Sequence, residues 1–319
     1  MLTFKKTAIL VALCFTGGIS FAQDDMFADL NKEIAKQKDY AAYTFKSTRL
    51  LDGSTIENLA SGVLDFRISH RFGAMDGGSV GNAVQNLYGV DNAITKIGVD
   101  FGITPWLMVG VGHSASKDND GFVKAKIIRQ ATNGMPFTLS YFGSIDMETL
   151  PAPQLPVATD SWLFTNRLFF TNQLLIARKF NNSLSLQLMP TLVHYNYVDS
   201  SKFSNNTFAL GIGGRMKLTK RAAITAEYYY RLNNTNLLVN GHTTYNTFSL
   251  GYEVETGGHV FQFIVSNAQS LAERSFIGQN TDSWGFLYPK NSLHLGFNIS
   301  RVFTIIKPEG FKEEEKKKW

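Results

Sequence analysis

Residues 62–73 read GVLDFRISHRFG, and they decide the fold. Leu64, Phe66, Ile68 and Phe72 alternate with Asp65, Arg67, Ser69 and Arg71. Successive residues of a strand point to opposite sides, so a strand here has one apolar and one charged face. A soluble sandwich would turn the charged face to water and the apolar face to its core. Repeated around a closed sheet, the pattern predicts lipid outside and a polar lumen inside.

The same rhythm recurs. Outward from 62–72, candidate strands fall at 92–103, 106–115, 121–131, 135–147, 161–180, 183–196, 206–218, 222–232, 244–256, 259–267 and 291–303. Their connectors alternate. Thr104-Pro105, Thr132-Asn133-Gly134, Asn181-Asn182, Thr219-Lys220-Arg221 and Gly257-Gly258 are tight turns of hairpin residue types. Between them come 73–91, 116–120, 148–160, 197–205, 233–243 and 268–290, longer and richer in turn residues apart from 116–120. Short turns on one side and long loops on the other are the pattern of an antiparallel transmembrane barrel, here of about twelve strands, with both termini on the periplasmic side. Trp106, Trp162, Tyr195, Tyr197, Tyr228, Tyr230, Tyr252 and Phe303 lie near strand ends, where two aromatic girdles would sit at headgroup level.

The flanking segments set the address. Lys5 and Lys6, the apolar run Ala8–Phe15 and Ser20-Phe21-Ala22 make residues 1–22 a removable signal peptide. The one cysteine, Cys14, lies within it, so the mature chain has no thiol chemistry and no disulfide. No run approaches the roughly 18–20 apolar residues of a helical span. The expected organisation is a periplasmic extension over 23–61, opening with an amphipathic helix over 23–40, then an outer-membrane barrel over 62–303 and a charged tail over 304–319. The net charge of +5 comes from scattered basic residues and the terminal lysines, and no motif points to nucleic acid.

Several runs together, GVLDFRISHRFG (62–73), QLLIARKF (173–180), SLSLQLMPTLVHYN (183–196), GGRMKLTKRAAITAEYYYR (213–231), VETGGHVFQF (254–263) and GFNISRVF (296–303), resemble a family of membrane-bound β-barrel domains of unknown function from Bacteroidota. The resemblance implies the barrel and the outer membrane. It implies no activity, cofactor or catalytic residue.

The register places a dense set of charges on the inward face: Asp65, Arg67, Arg71, Lys96, Asp100, Lys124, Lys126, Arg167, Lys179, Arg215, Lys217, Glu227, Arg231, Glu253 and Glu255. Basic groups dominate, which predicts an anion preference if the lumen conducts. Equally, such charges could pair and fill the bore. Inward glycines at Gly98, Gly102, Gly110, Gly112, Gly211, Gly213 and Gly296 are read as relief of crowding at curved strands.

No cofactor or metal is expected. The six histidines, His70, His113, His194, His242, His259 and His294, form no ligand-spaced pair, and Asp118-Asn119-Asp120-Gly121 lacks the closing glutamate of a calcium loop. That run reads as a hairpin tip. A lipase of barrel type would need His and Ser two apart on the lipid face, but Ala115 follows His113 and Phe72 follows His70. The expected function is therefore that of a channel or uptake component for a small solute, an anionic one if the basic excess governs an open lumen, with the lipid bilayer as the defining partner and any periplasmic partner unidentified. A closed structural or partner-binding barrel is the alternative, and a membrane lipid hydrolase the third.

Overall fold

The computed structural model describes residues 38–75, 80–85, 87–150, 163–198, 204–233, 238–239, 242–284 and 292–307. The expected signal peptide, the helix expected over 23–40 except for its last three residues, and most of the charged tail lie outside them.

The chain divides into two compact units, one over 1–41 with 130–136, the other over 42–129 with 137–319. In the first, Tyr40 bridges Ala131, with Ala41 N donating to Gln130 O at 2.9 Å. The second contains the barrel. Its strands are β1 (Val63–Ala74), β2 (Ile94–Thr104), β3 (Leu107–Ser114), β4 (Asp118–Ile128), β5 (Thr138–Glu148), β6 (Leu168–Lys179), β7 (Leu184–Tyr195), β8 (Asn206–Lys217), β9 (Ala222–Arg231), β12 (Thr247–Thr256), β13 (His259–Ser266) and β14 (His294–Thr304). The long loops carry a small hairpin, β10 (Leu238–Val239) with β11 (His242–Thr243), and two short helices, α1 (Val80–Gln85) and α2 (Glu273–Gly278).

Every barrel neighbour is antiparallel, and β1 pairs with β14 to close the ring. The twelve expected strands are all present, shifted by up to three residues at their ends except that the strand expected from 161 begins only at Leu168. Two connectors differ from expectation. Asp118–Asp120 extend β4 instead of forming a loop tip, leaving 115–117 as the β3–β4 connection, while β4 and β5 are joined by 129–137. The cause of the first is tertiary: Asp118 and Asp120 face inward and find cationic partners there, Arg274 at 2.6 Å and Lys96 at 2.8 Å.

Alternation holds along the strands. In β1, Asp65, Arg67 and Arg71 are buried while Phe66 is exposed; in β7, Gln187 and Met189 are buried while Leu186 and Leu188 are exposed. Trp106, Tyr228, Tyr230, Tyr252 and Phe303 are exposed on the outer side, as girdle residues should be. Tyr195 is an exception, for its ring points inward and its hydroxyl donates to Arg274 O at 2.8 Å. Trp162 lies outside the described residues.

Candidate functional site: a filled lumen

A polar lumen could hold water, but this one holds the chain itself. Residues 44–59 run inside the barrel and fold back at Leu50–Gly53, where Leu50 N bonds Gly53 O at 2.8 Å and Thr55 N bonds Thr48 O at 3.0 Å. This corrects the expectation that 23–61 is wholly a periplasmic extension. Apart from Lys46, Glu57 and Asn58, every residue from Thr44 to Leu59 is buried.

A chain segment with no strand beside it must find other partners for its peptide groups. The wall supplies them with side chains. Gln262 Nε2 donates to Leu50 O at 2.6 Å, Asn298 Nδ2 to Leu51 O at 2.7 Å, Gln187 Nε2 to Ser54 O at 2.8 Å and Lys124 Nζ to Thr55 O at 2.9 Å. Glu227 accepts from Asp52 N at 2.6 Å and Gly53 N at 3.2 Å, and Gln187 Oε1 accepts from Ile56 N at 3.0 Å. The plug's own carboxylate, Asp52, pairs with Arg71 at 2.6 Å, neither side chain having any exposed surface, and also accepts from Ser249 at 2.7 Å.

Several wall charges that do not touch the plug tip pair among themselves. Asp65 and Asp100 face each other across β1 and β2, and Arg67 neutralises both at 2.6 and 3.0 Å. Thr48 of the plug joins this group by donating to Asp100 at 3.1 Å. Arg215 pairs with Glu253 at 2.7 Å.

Loop 267–284 also packs into the lumen, from the side of the long connectors. Its helix α2 buries Phe276 and Ile277, and Phe276 packs edge-on against Tyr229 at 5.4 Å between ring centres. Arg231 donates to Gly278 O at 3.2 Å and Lys96 to Leu271 O at 3.2 Å. The two inserts meet at an ion pair between Arg49 and Glu273, with the Arg49 guanidinium over the rings of Phe122 and Phe142. Burial opposes the charge on Glu273, but Arg49 and Lys96 outweigh it and hold this carboxyl below its ordinary range. Between plug and wall remains a cavity of about 30 Å³, lined by Arg49, Asp52, Arg67, Lys96, Asp100 and Asp120 among others. That is space for a water or two.

Of the charges expected to line the lumen, Asp65, Arg67, Arg71, Asp100, Lys124, Glu227 and Glu253 are buried inside, and Lys96, Arg215 and Arg231 are half-buried there. Lys126 lies 4.0 Å from Glu57, and Lys217 is half-buried at the last residue of β8. Lys179 donates to Ala42 O at 2.8 Å and Glu255 pairs with Lys46 at 2.6 Å, both at the end where the plug enters. Arg167 departs from expectation. It sits in a helical turn before β6 and bonds the carbonyl oxygens of Glu148 and Leu150.

Asp118, Asp120 and Asp146 add three buried carboxylates to the inner wall that the expected register left out. The basic excess behind the anion preference is therefore not present on this wall. Inward glycines are also explained more specifically than by curvature. A methyl group on Gly213 would run into Leu50 and one on Gly251 into Leu51, so these two glycines seat the plug, while one on Gly102 would run into the backbone of Ala60 just beyond it.

Outside, His113 Nδ1 lies 2.7 Å from Asn119 Oδ1 on exposed β3 and β4, with Ala115 at the position a nucleophile would need. Among the described residues, no group of three or more His, Cys, Asp or Glu side chains could hold a metal ion.

These features define a class: a closed, antiparallel membrane barrel whose lumen is occupied by its own N-terminal segment. More narrowly, the chain belongs to the family of the membrane bound beta barrel domain (DUF5777), whose model matches residues 45–303. The match begins within the plug, not at the first strand. No curated protein matches the sequence. Among solved structures, the chain is similar to the NanC porin at 9% identity and a TM-score of 0.47, over 75% of this chain and 98% of that one. It is similar to the KdgM porin at 10% identity and 0.43, over 76% and 99%. Outer membrane phospholipase A from Escherichia coli, as an active-site mutant, gives 12% identity and 0.42, over 76% and 91%. At this level of likeness none of them bears on what the chain does.

Proposed function

We propose that the protein is an outer-membrane barrel that is shut at rest and passes a small solute only when residues 44–59 leave the lumen. One observation carries this reading: the segment in the bore is held by side chains and not by a backbone ladder. Hydrogen bonds to wall amides and carboxylates can be exchanged for water, leaving the barrel's own strand pairing untouched. The outer membrane is supported by the secretion leader read at 1–22, by strands of about ten residues with apolar outer faces, and by the family's membrane description. On this reading the short connectors and both ends of the barrel domain face the periplasm.

A permanently closed structural or partner-binding barrel is the second reading, favoured by the fully buried pair Asp52–Arg71. Planar-bilayer recordings separate the two. The refolded full chain is expected to be silent, and a variant with 44–59 replaced by a Gly/Ser linker of equal length is expected to conduct. Steady conductance from the full chain refutes closure at rest. Silence from a linker variant that still shows heat-modifiable gel migration refutes gating and leaves the permanently closed barrel.

A further inference from the structure

The outer wall carries a hollow of about 560 Å³ over β12, β13 and β14, lined by apolar side chains that include Leu250, Tyr252, Phe263, Val265, Leu295 and Phe297. On the same face, toward the turn Gly257-Gly258, the outward row of β13 continues through Phe261 to His259 and that of β14 through Ile299 to Arg301. His259 and Arg301 stand directly opposite each other in the ladder. Arg301 is four residues on from Phe297, about 13 Å along a strand.

Arg301 is exposed on a face that is otherwise turned to hydrocarbon, and no ion pair found among the described residues includes it. Its guanidinium lies 5.0 Å from the centre of the Phe303 ring, while the His259 ring stacks on Phe261 at 6.0 Å. A cation at the edge of the apolar belt is stabilised by an anion at headgroup depth, and guanidinium matches the oxygens of a phosphate in particular. An apolar hollow continued by a cation toward the membrane edge has the polarity of a phospholipid, with acyl chain above and phosphate below.

We propose that this face is a specific binding site for a phospholipid of the leaflet on the short-turn side, its acyl chain in the hollow and its phosphate at Arg301 and His259. The site is independent of whether the lumen opens.

Purified barrel is delipidated, incubated with phosphatidylglycerol in detergent and examined by native mass spectrometry for retained lipid. The unmodified protein is expected to keep one lipid. Arg301→Gln should weaken retention roughly tenfold, the worth of one charge-assisted hydrogen bond, and Arg301→Lys should restore part of it. Leu250→Trp, which fills the hollow, should also lose the lipid.

Arg178→Gln is the control, because Arg178 is likewise exposed over a ring, Phe180, at 5.1 Å, but stands on β6, six strands from β14 around the barrel. Equal loss in Arg178→Gln, or no loss in Arg301→Gln, overturns the site. Displacement of the lipid by inorganic phosphate alone would overturn the part assigned to the hollow. Heat-modifiable migration of each variant confirms that the barrel is intact.

Discussion

Segment 44–59 and strand β1 are separated by only three residues, and both are rich in polar groups, but they are held in place by different means. In β1 every residue from Leu64 to Arg71 is paired with both β2 and β14 through the backbone ladder. In the plug the backbone is bonded largely by side chains that reach in from β4, β7, β9, β13 and β14. A ladder is local and survives changes of side chain. A segment held by side chains depends on each of them, so the barrel and its plug should be separable by substitution.

The largest effect is expected where the plug's charge is buried. Arg71→Met leaves Asp52 in the interior without its cation, which costs about 3–5 kcal/mol. The loss should appear as release of the plug. A cysteine introduced at Thr55, which is fully buried, should become reactive to a water-soluble maleimide, while the gel shift of the folded barrel persists. Unchanged protection at residue 55 would mean that the plug and the barrel are one cooperative unit.

The opposite separation should come from the outer face. Leu188 is exposed on β7 near its middle, and arginine near the bilayer midplane costs about 2–4 kcal/mol. Leu188→Arg should lower the urea midpoint of the whole barrel in lipid vesicles, with residue 55 protected until the barrel itself unfolds.

Smaller still is the effect of crowding the plug's seat. Gly251→Val would press on Leu51 and should cost about 1–3 kcal/mol, visible as faster labelling at residue 55 and little change in the barrel's urea midpoint. Lys46→Ala is expected to do least. Its pair with Glu255 is about one-third exposed on each side, at 33% and 34%, so less than about 1 kcal/mol should be lost and labelling at 55 should stay slow.

How much could be read in advance differs between the same two regions. The strand is legible because lipid imposes a two-residue period on its outer face, and Leu64, Phe66 and Ile68 obey it. The plug is not, because a polar lumen accepts polar residues with no period at all. A signal was nevertheless present: Phe45, Leu50, Leu51, Ile56 and Leu59 are too many apolar side chains for a solvated extension, and all five are buried. Asp118–Asp120 were misread for the same kind of reason. Turn-type residues there lie in a strand because Arg274 and Lys96, distant in sequence, neutralise them inside.

The sequence by itself determined the barrel, its strand number, the alternation of faces along its strands and the membrane as surroundings, since these follow from a period that repeats locally along the chain. Only the tertiary structure decided that the lumen is filled, which segment fills it and which of its charges pair. Those depend on groups far apart in sequence, such as Asp52 with Arg71 and Ser249, or Arg49 with Glu273, meeting in one enclosed space where pairing offsets the cost of burying them.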